Sequence, residues 1–210
     1  MLMKTNIIIS AALVIALFSS CGGNSQQTDL FNGKDLTGWE WVADPQSEVP
    51  ASEVCGVTEG NIRIAGQPFG YLRTSGKYGD ITLHAEWRWV GEGTNSGLFM
   101  RVQDGENFWP NAVECQLKAG RAGDLVLLGG SKIQEETTGG AFPVKARIGD
   151  YENPVGDWNV VEVICEGNKL TVYVNGNVQN ECTCDSTEGY IALQSEGGPI
   201  EFRNIYIKNM

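Results

Sequence analysis

The chain has 210 residues, and its 26 acidic residues against 15 basic ones give a formal net charge of −11. This acidity argues against nucleic acid and against anionic lipid headgroups as partners, because both bind through basic patches. The length is enough to bury a sizeable core in one domain. The composition therefore favours a single globular domain that handles neutral ligands.

Residues 1–20 predict a signal peptide, with Lys4 as the positive charge, an apolar run after it and two serines before Cys21. The apolar run is shorter than the ~20 residues that a membrane-spanning helix needs. Cys21 in this position resembles the lipidation site of a bacterial lipoprotein, and an ordinary secretory signal is the alternative. We expect lipidation at Cys21, a polar tether over residues 21–28 and one folded domain over residues 29–210.

The cysteines and the single histidine give no metal motif. Five cysteines follow Cys21, and an odd number leaves at least one thiol unpaired even where disulfides can form. Cys115 and Cys165 lie within apolar strand patterns and are expected to be buried thiols. Cys182 and Cys184 have no second cysteine pair at ligand spacing, so no cofactor is evident.

Alternation of apolar and polar residues with period two runs through most of the chain. Residues 81–89 alternate strictly and place His84 on the polar face, as an ordinary surface histidine. Residues 160–174 and 190–207 each contain two such runs around a glycine-containing turn, which predicts two hairpins. Residues 119–150 are too long for a passive connection and are expected to form a hairpin and a rim loop beside a ligand site.

This pattern predicts the fold class. No window of a dozen residues keeps apolar side chains at helical spacing, so no long helix is expected. Short strands joined by glycine-rich turns over about 180 residues favour an all-β fold, a jelly-roll sandwich of two antiparallel sheets.

One predicted strand, residues 112–118, places Glu114, Gln116 and Lys118 on the face opposite its apolar side chains. Because the apolar face packs in the core, the polar face is expected to line a groove, and its carboxylate, amide and ammonium suit a sugar. An amide is a poor nucleophile and cannot shuttle protons, which disfavours two-carboxylate hydrolysis from this strand. Alternatively, Glu114 and Lys118 form a solvent-facing pair.

The preceding strand-like segment begins with Asn95 and Ser96 and ends at Arg101. Asn95 and Arg101 have the same strand parity, so both can face the groove, although Asn95 and Ser96 could simply form a turn. Trp109 is the aromatic residue that we choose for stacking on a sugar ring, with core packing as the alternative. We therefore take Asn95, Ser96, Trp109 and Gln116 as candidate substrate-binding residues.

Short motifs occur in order along residues 30–208. They are LFNGKDLTGW at 30–39, YLRT at 71–74, YGD at 78–80, NSG at 95–97 followed by Arg101, ExQ at 114–116, DWN at 157–159, VNG at 174–176, LQ at 193–194 and FRNI at 202–205. Together, in this order and spacing, they resemble the bacterial 3-keto-disaccharide hydrolase family, also described as 3-keto-glucoside 1,2-lyase/3-keto-2-hydroxyglucal hydratase.

The resemblance implies a concanavalin A-like jelly roll, in agreement with the strand pattern, and a reaction on an oxidised sugar. In a 3-keto-glycoside the ketone acidifies the hydrogen on C2, one base removes it, and the C1 substituent leaves by β-elimination. Water then adds across the unsaturated product. In this scheme Glu114 is the candidate base, Lys118 or Arg101 stabilises the enolate, and Gln116 and Asn95 hold hydroxyls. A divalent cation could replace the cationic side chain.

One departure from the family keeps two alternatives open. Many members carry an acidic residue at the position of Ala119, where this chain reads Lys118-Ala119-Gly120. The chain could therefore be a non-catalytic carbohydrate-binding lipoprotein of the same fold. It could also be a conventional glycosidase that takes its second acid from Asp124 or Glu135.

The resemblance and the signal peptide also imply a setting. The expected protein is a Bacteroides-type lipoprotein whose only contact with the membrane is its lipid anchor. The tether lacks an acidic run, which favours the periplasmic side of the outer membrane over the cell surface. An upstream sugar 3-oxidoreductase would have to make the ketone.

Overall fold

The computed structural model describes residues 26–105 and 108–210. The expected signal peptide, the lipidation site at Cys21 and tether residues 22–25 lie outside the described residues. In the described part of the chain, fifteen strands and one four-residue helix follow one another. Their bounds are β1 Gln27–Asp29, β2 Trp39–Ala43, α1 Ala51–Val54, β3 Cys55–Thr58, β4 Asn61–Ile64, β5 Gly70–Thr74, β6 Ile81–Trp89, β7 Gly97–Val102, β8 Ala112–Gln116, β9 Leu125–Leu128, β10 Val144–Lys145, β11 Asn159–Glu166, β12 Lys169–Val174, β13 Asn177–Thr183, β14 Tyr190–Ser195 and β15 Ile200–Asn209.

The strands form two antiparallel sheets, which confirms the predicted sandwich. The back sheet has the order β13-β12-β11-β6-β15-β4-β3, with β1 added beside β15. The front sheet has the order β10-β9-β8-β7-β14-β5-β2. No helix in the described ranges is long and apolar enough to cross a membrane.

The core between the sheets follows from the alternation in each strand. In β6 every second residue, starting with Ile81, is buried, and Trp87 is among the largest fully buried side chains. Cys115 and Cys165 are buried free thiols as predicted, and Cys182 and Cys184 are buried and free as well. Apolar burial of this extent is the main stabilising term of the fold.

The turn signals predicted some hairpins correctly and one wrongly. β11 pairs with β12, and β9 pairs with β10 within residues 119–150. The expected hairpin over residues 190–207 does not form, because β14 pairs with β7 and β5 in the front sheet while β15 pairs with β6 and β4 in the back sheet. Residues 196–199 are therefore an arch that joins the two sheets.

Two further expectations differ from the structure. Gln27–Asp29 pair with β15, so the sandwich begins inside the segment that was expected to be a tether. His84 lies on the outer face of the back sheet, but its ring stacks on Tyr206 at 4.6 Å and is half-buried. The alternation predicts the face of His84 correctly. It does not predict the stacking on Tyr206, because that contact depends on the register of β6 with β15.

Candidate functional site

The outer face of the front sheet carries a second cluster of buried apolar side chains, separate from the core, and a pocket of about 370 Å³ lies on it. The strands β7, β8, β9 and β14 form its base, and the segments before β5, β8 and β10 form its rim. Its lining residues are Asp44, Phe69, Asn95, Phe108, Trp109, Glu114, Gln116, Val126, Leu128, Phe142, Gln194 and Glu196.

Glu114 lies at the base of this pocket. It is opposite Phe99 in β7 and Val126 in β9, and its residue surface is 2% exposed. Burial raises the pKa of the Glu114 carboxyl well above 4.5, and the negative charge of Glu196 raises it further. The chain thus places a carboxyl group with a strongly raised pKa in a cleft, a feature that is typical of functional sites.

The neighbouring strand makes room for this carboxyl group through Gly97. A Cβ atom on Gly97 would lie 2.2 Å from Glu114 Oε1, closer than any real contact. A glycine is therefore needed at the start of β7 so that the Glu114 side chain can lie across that strand.

Three buried oxygen atoms around this point have no hydrogen-bond partner among the residues that the structure describes. They are Asn95 Oδ1, Glu114 Oε1 and Gln194 Oε1. A buried polar atom without a partner costs about 1–3 kcal/mol, so such atoms in a native protein need an explanation. All three can accept hydrogen bonds, which matches the hydroxyl donors of a sugar.

Sequence reasoning missed a second carboxylate, Glu196, which lies on the arch between the sheets. Gln194 Nε2 donates to Glu196 Oε2 at 2.8 Å. The turn signal at residues 196–199 predicts a hairpin, and a hairpin gives no reason to place Glu196 at the pocket. Strand parity could have found Gln194, because the neighbouring Leu193 packs in the core. Asp44, Phe69, Phe108 and Phe142 were also missed, since loops bring them to the rim.

Gln116 and Trp109 lie where the sequence predicted them, whereas Lys118 does not line the pocket. β8 ends at Gln116, and Lys118 is exposed in the turn that follows. The Lys118 backbone N–H donates to Gln116 Oε1 at 2.9 Å, which fixes the Gln116 amide. Trp109 packs beside Phe108, with ring centroids 4.9 Å apart.

The expectation that Arg101 shares the groove is wrong. Arg101 has a φ of 58°, and the register of β7 with β14 shifts between Tyr190 and Ala192. Such a bulge changes the face on which a side chain lies. The Arg101 guanidinium instead donates to the backbone carbonyls of Tyr78 and Gly79, each at 3.1 Å, and it is 2% exposed.

Ser96 and the alternative second acids also lie away from the pocket. The Ser96 hydroxyl is buried and donates to the Gln194 carbonyl at 2.8 Å, so it ties β14 to the segment before β7. Asp124 accepts the backbone N–H of Arg147 at 2.8 Å, and Glu135 accepts that of Thr183. Neither Asp124 nor Glu135 lines the pocket, whereas Glu196 of the arch does.

The pocket offers carboxylate and amide oxygens, the ligand type that hard cations prefer. Within the two described ranges, however, no group of three or more His, Cys, Asp and Glu side chains is arranged to hold a metal ion. The residues that could contribute oxygen ligands here are Glu114, Glu196, Asn95 and Gln194.

The fold and the pocket define a concanavalin-like jelly-roll domain with a small polar site on one sheet. The sequence profile of the 3-keto-alpha-glucoside-1,2-lyase-like domain matches residues 26–208, and the chain belongs to this family. This membership places the chain among carbohydrate-active proteins. No curated protein matches the chain significantly.

Solved structures show the same fold at low sequence identity. A protein of Parabacteroides distasonis, provisionally described as a glycosyl hydrolase, is 24% identical, covers 88% of this chain and 94% of its own, and has a TM-score of 0.67. A β-glucanase of Bacillus licheniformis is 14% identical over 90% of this chain and 99% of its own, with a TM-score of 0.58. The carbohydrate-binding module CBM66 of Bacillus subtilis is 17% identical over 82% and 96%, with a TM-score of 0.55. The fold therefore hosts catalytic and binding proteins alike.

Proposed function

We propose that the domain acts on 3-keto-glycosides and cleaves the glycosidic bond by base-initiated elimination across C1 and C2, with hydration of the unsaturated product. The observation that supports this most is the buried Glu114 carboxyl group, whose Oε1, like Asn95 Oδ1 and Gln194 Oε1 in the same pocket, has no hydrogen-bond partner within residues 26–105 and 108–210. A 3-keto sugar supplies the hydroxyl donors that these acceptors lack, and it needs only one base.

Glu114 takes the proton from C2, and the C–H electron pair forms an enolate with the C3 ketone. The enolate collapses to restore the ketone, a C1–C2 double bond forms, and the C1–O bond breaks. The leaving oxygen takes a proton, and water then adds its OH to C1 and its H to C2. A raised pKa makes Glu114 a stronger base when ionised and lets it return a proton when protonated.

The enolate needs a hydrogen-bond donor, and the two cations expected from the sequence lie elsewhere. Gln116 Oε1 already accepts a backbone N–H, so the Gln116 amide nitrogen is available to donate. We assign it, with the Asn95 amide, to the C3 oxygen and neighbouring hydroxyls. A divalent cation bound by the carboxylate and amide oxygens is the other way to stabilise this charge.

The presence of Glu196 supports a second candidate function, a conventional glycosidase. Two carboxyl groups in one pocket are what ordinary glycoside hydrolysis requires. Such an enzyme would act on sugars that have not been oxidised. A binding-only protein is the third outcome that an experiment must separate.

We also propose the setting expected from the sequence. The protein is lipid-anchored through Cys21 on the periplasmic side of the outer membrane, and a sugar 3-oxidoreductase supplies its substrate. Labelling with a radioactive fatty acid in wild type and Cys21→Ala tests the anchor, and loss of label in the variant is expected. Equal labelling of both proteins would contradict it.

The function is tested with 3-keto-trehalose and trehalose, each incubated with the wild-type domain and with Glu114→Gln, with and without chelator. Glucose release from the keto sugar alone, lost in the variant, is expected. Loss of glucose release in the presence of chelator would indicate that the reaction also requires a divalent cation. Release from trehalose would favour the glycosidase, and binding without any release would favour the binding protein.

A further inference from the structure

The pocket has polar groups at its base and aromatic rings at its rim. Glu114 and Gln194 are each 2% exposed, whereas Phe69 and Phe142 are 38% and 50% exposed. Large apolar side chains that remain exposed around a pocket mark a surface that contacts a ligand. The base and the rim therefore offer chemically different surfaces to a ligand.

Trp109 contacts two other rim rings, Phe108 and Phe69, and the cluster extends to the buried rings of Phe99 and Tyr71. Trp109 lies 4.9 Å from Phe108, 6.2 Å from Phe69 and 6.4 Å from Phe99, measured between ring centroids. Tyr71 continues the cluster, 6.4 Å from Phe108. These distances are in the range of attractive aromatic pairs, so the rings form a continuous wall to which one further ring can be added.

The charge of the pocket restricts what that further ring can carry. The described lining residues include three carboxylates, Asp44, Glu114 and Glu196, and no lysine or arginine. A negatively charged ligand group would be repelled and would find no cation to pair with. The volume of about 370 Å³ is at the small end for ligand pockets, which suits one sugar ring and one attached ring.

We infer that the group attached at C1 of the sugar is an uncharged aromatic ring, so that the substrates are aryl 3-keto-glycosides. This inference rests on the proposed function for the sugar ring and adds the leaving group. The sugar lies on the amides and carboxyls of the base, and the aryl ring packs among Phe69, Trp109 and Phe142. The oxygen that leaves C1 is then a phenol oxygen, and it takes one proton on leaving.

The test measures binding, because phenols leave faster than alcohols whatever the protein does. Dissociation constants are measured calorimetrically with Glu114→Gln, for phenyl 3-keto-glucoside, 3-keto-trehalose and 4-carboxyphenyl 3-keto-glucoside. We expect the phenyl compound to bind at least tenfold more tightly than 3-keto-trehalose, and the carboxyphenyl compound to bind more weakly than the phenyl compound. Equal or tighter binding of 3-keto-trehalose would overturn the inference, as would no binding of any of the three.

Variants identify the rings that are responsible. Added to Glu114→Gln, Phe142→Ala and Trp109→Ala should each reduce the preference for the phenyl compound at least fivefold. Phe142 is half exposed, so its removal leaves the fold intact even if that of Trp109 does not. Tyr151→Ala, which removes an exposed ring outside the pocket, should leave the preference unchanged. A preference that survives Phe142→Ala would contradict the inference.

The two proposals fail separately. Wild-type protein that binds the phenyl compound preferentially but turns over no 3-keto-glycoside would refute the proposed reaction and retain the aryl preference. Turnover of 3-keto-trehalose without any preference for the phenyl compound would retain the reaction and refute the aryl leaving group.

Discussion

The outer faces of the two sheets each bury a glutamate, and they treat it differently. On the back sheet Glu201 is 5% exposed and accepts two hydrogen bonds from Arg88, at 2.9 and 2.7 Å. On the front sheet Glu114 is 2% exposed, and its Oε1 has no hydrogen-bond partner in the described part of the chain. A buried glutamate is thus paired with an arginine on the back sheet, whereas the buried glutamate of the front sheet keeps one oxygen without a partner among the described residues.

We place the candidate site by its unsatisfied polar atoms rather than by cavity size. A cavity of about 530 Å³ on the back sheet is larger than the front pocket. Its glutamate, Glu86, is already bonded to Arg203 at 2.7 Å and to Asn204 at 2.6 Å. When the polar groups of a face already hydrogen-bond to one another, few donors and acceptors are left for a ligand.

The largest effect on activity should come from replacing Glu114, and not Glu201, by glutamine. Glu114→Gln should lower kcat/KM on a 3-keto-glycoside by about 10²–10⁴-fold, the usual contribution of a general acid–base group. Its free energy of unfolding should hold or rise at neutral pH, because a buried ionisable group is replaced by a neutral one. Steady-state kinetics and urea unfolding measure both quantities.

Glu201→Gln is the matched control and should behave in the opposite way. It weakens the bonds from Arg88 and should cost about 1 kcal/mol of stability without changing kcat/KM. Activity that falls equally in both variants would remove the distinction between the two faces.

The next effect concerns the space that Gly97 leaves for Glu114. Gly97→Ala should displace the carboxyl group, lower kcat/KM by roughly 10²-fold and cost about 1–3 kcal/mol of stability through overpacking. Gly56→Ala is the control, since Gly56 also lies in a strand and an added Cβ would meet nothing within 4 Å. Full activity in Gly97→Ala would show that the position of the carboxyl group is not critical.

A smaller effect should appear in the dependence of stability on pH. The pKa of Glu114 is raised in the folded state, so the folded protein binds more protons than the unfolded chain above about pH 4.5. The contribution of Glu114 to stability is therefore retained below the unfolded pKa and is lost as the pH rises towards the folded pKa. Urea unfolding of wild type and Glu114→Gln across this range should show wild type losing stability relative to the variant. A constant difference would contradict the raised pKa.

The smallest effect is expected at Lys118, which is exposed and does not line the pocket. Lys118→Ala keeps the backbone N–H that holds Gln116, so kcat/KM should change by less than about twofold. A decrease in kcat/KM of tenfold or more would show that Lys118 takes part in the reaction, as strand parity predicts.

Strand alternation was enough to predict the sandwich and the face of Glu114 and Gln116, because each depends only on local period. It failed at Arg101, where a bulge in the pairing with β14 reverses the face. It also failed at Glu196, because a turn signal does not say whether the next strand joins the same sheet or the opposite one. Loop residues such as Phe142 reach the rim through long-range contacts that no local pattern encodes.

Elimination and direct hydrolysis are distinguished by the fate of the C2 proton when a 3-keto-glucoside reacts in D₂O and the sugar product is followed by NMR. The product incubated alone gives the background exchange. Elimination predicts that the original C2 proton is absent from the product, either because C2 carries no hydrogen or because hydration placed deuterium there. A product that keeps its C2 proton after the aglycone has been released would contradict the account and indicate direct hydrolysis.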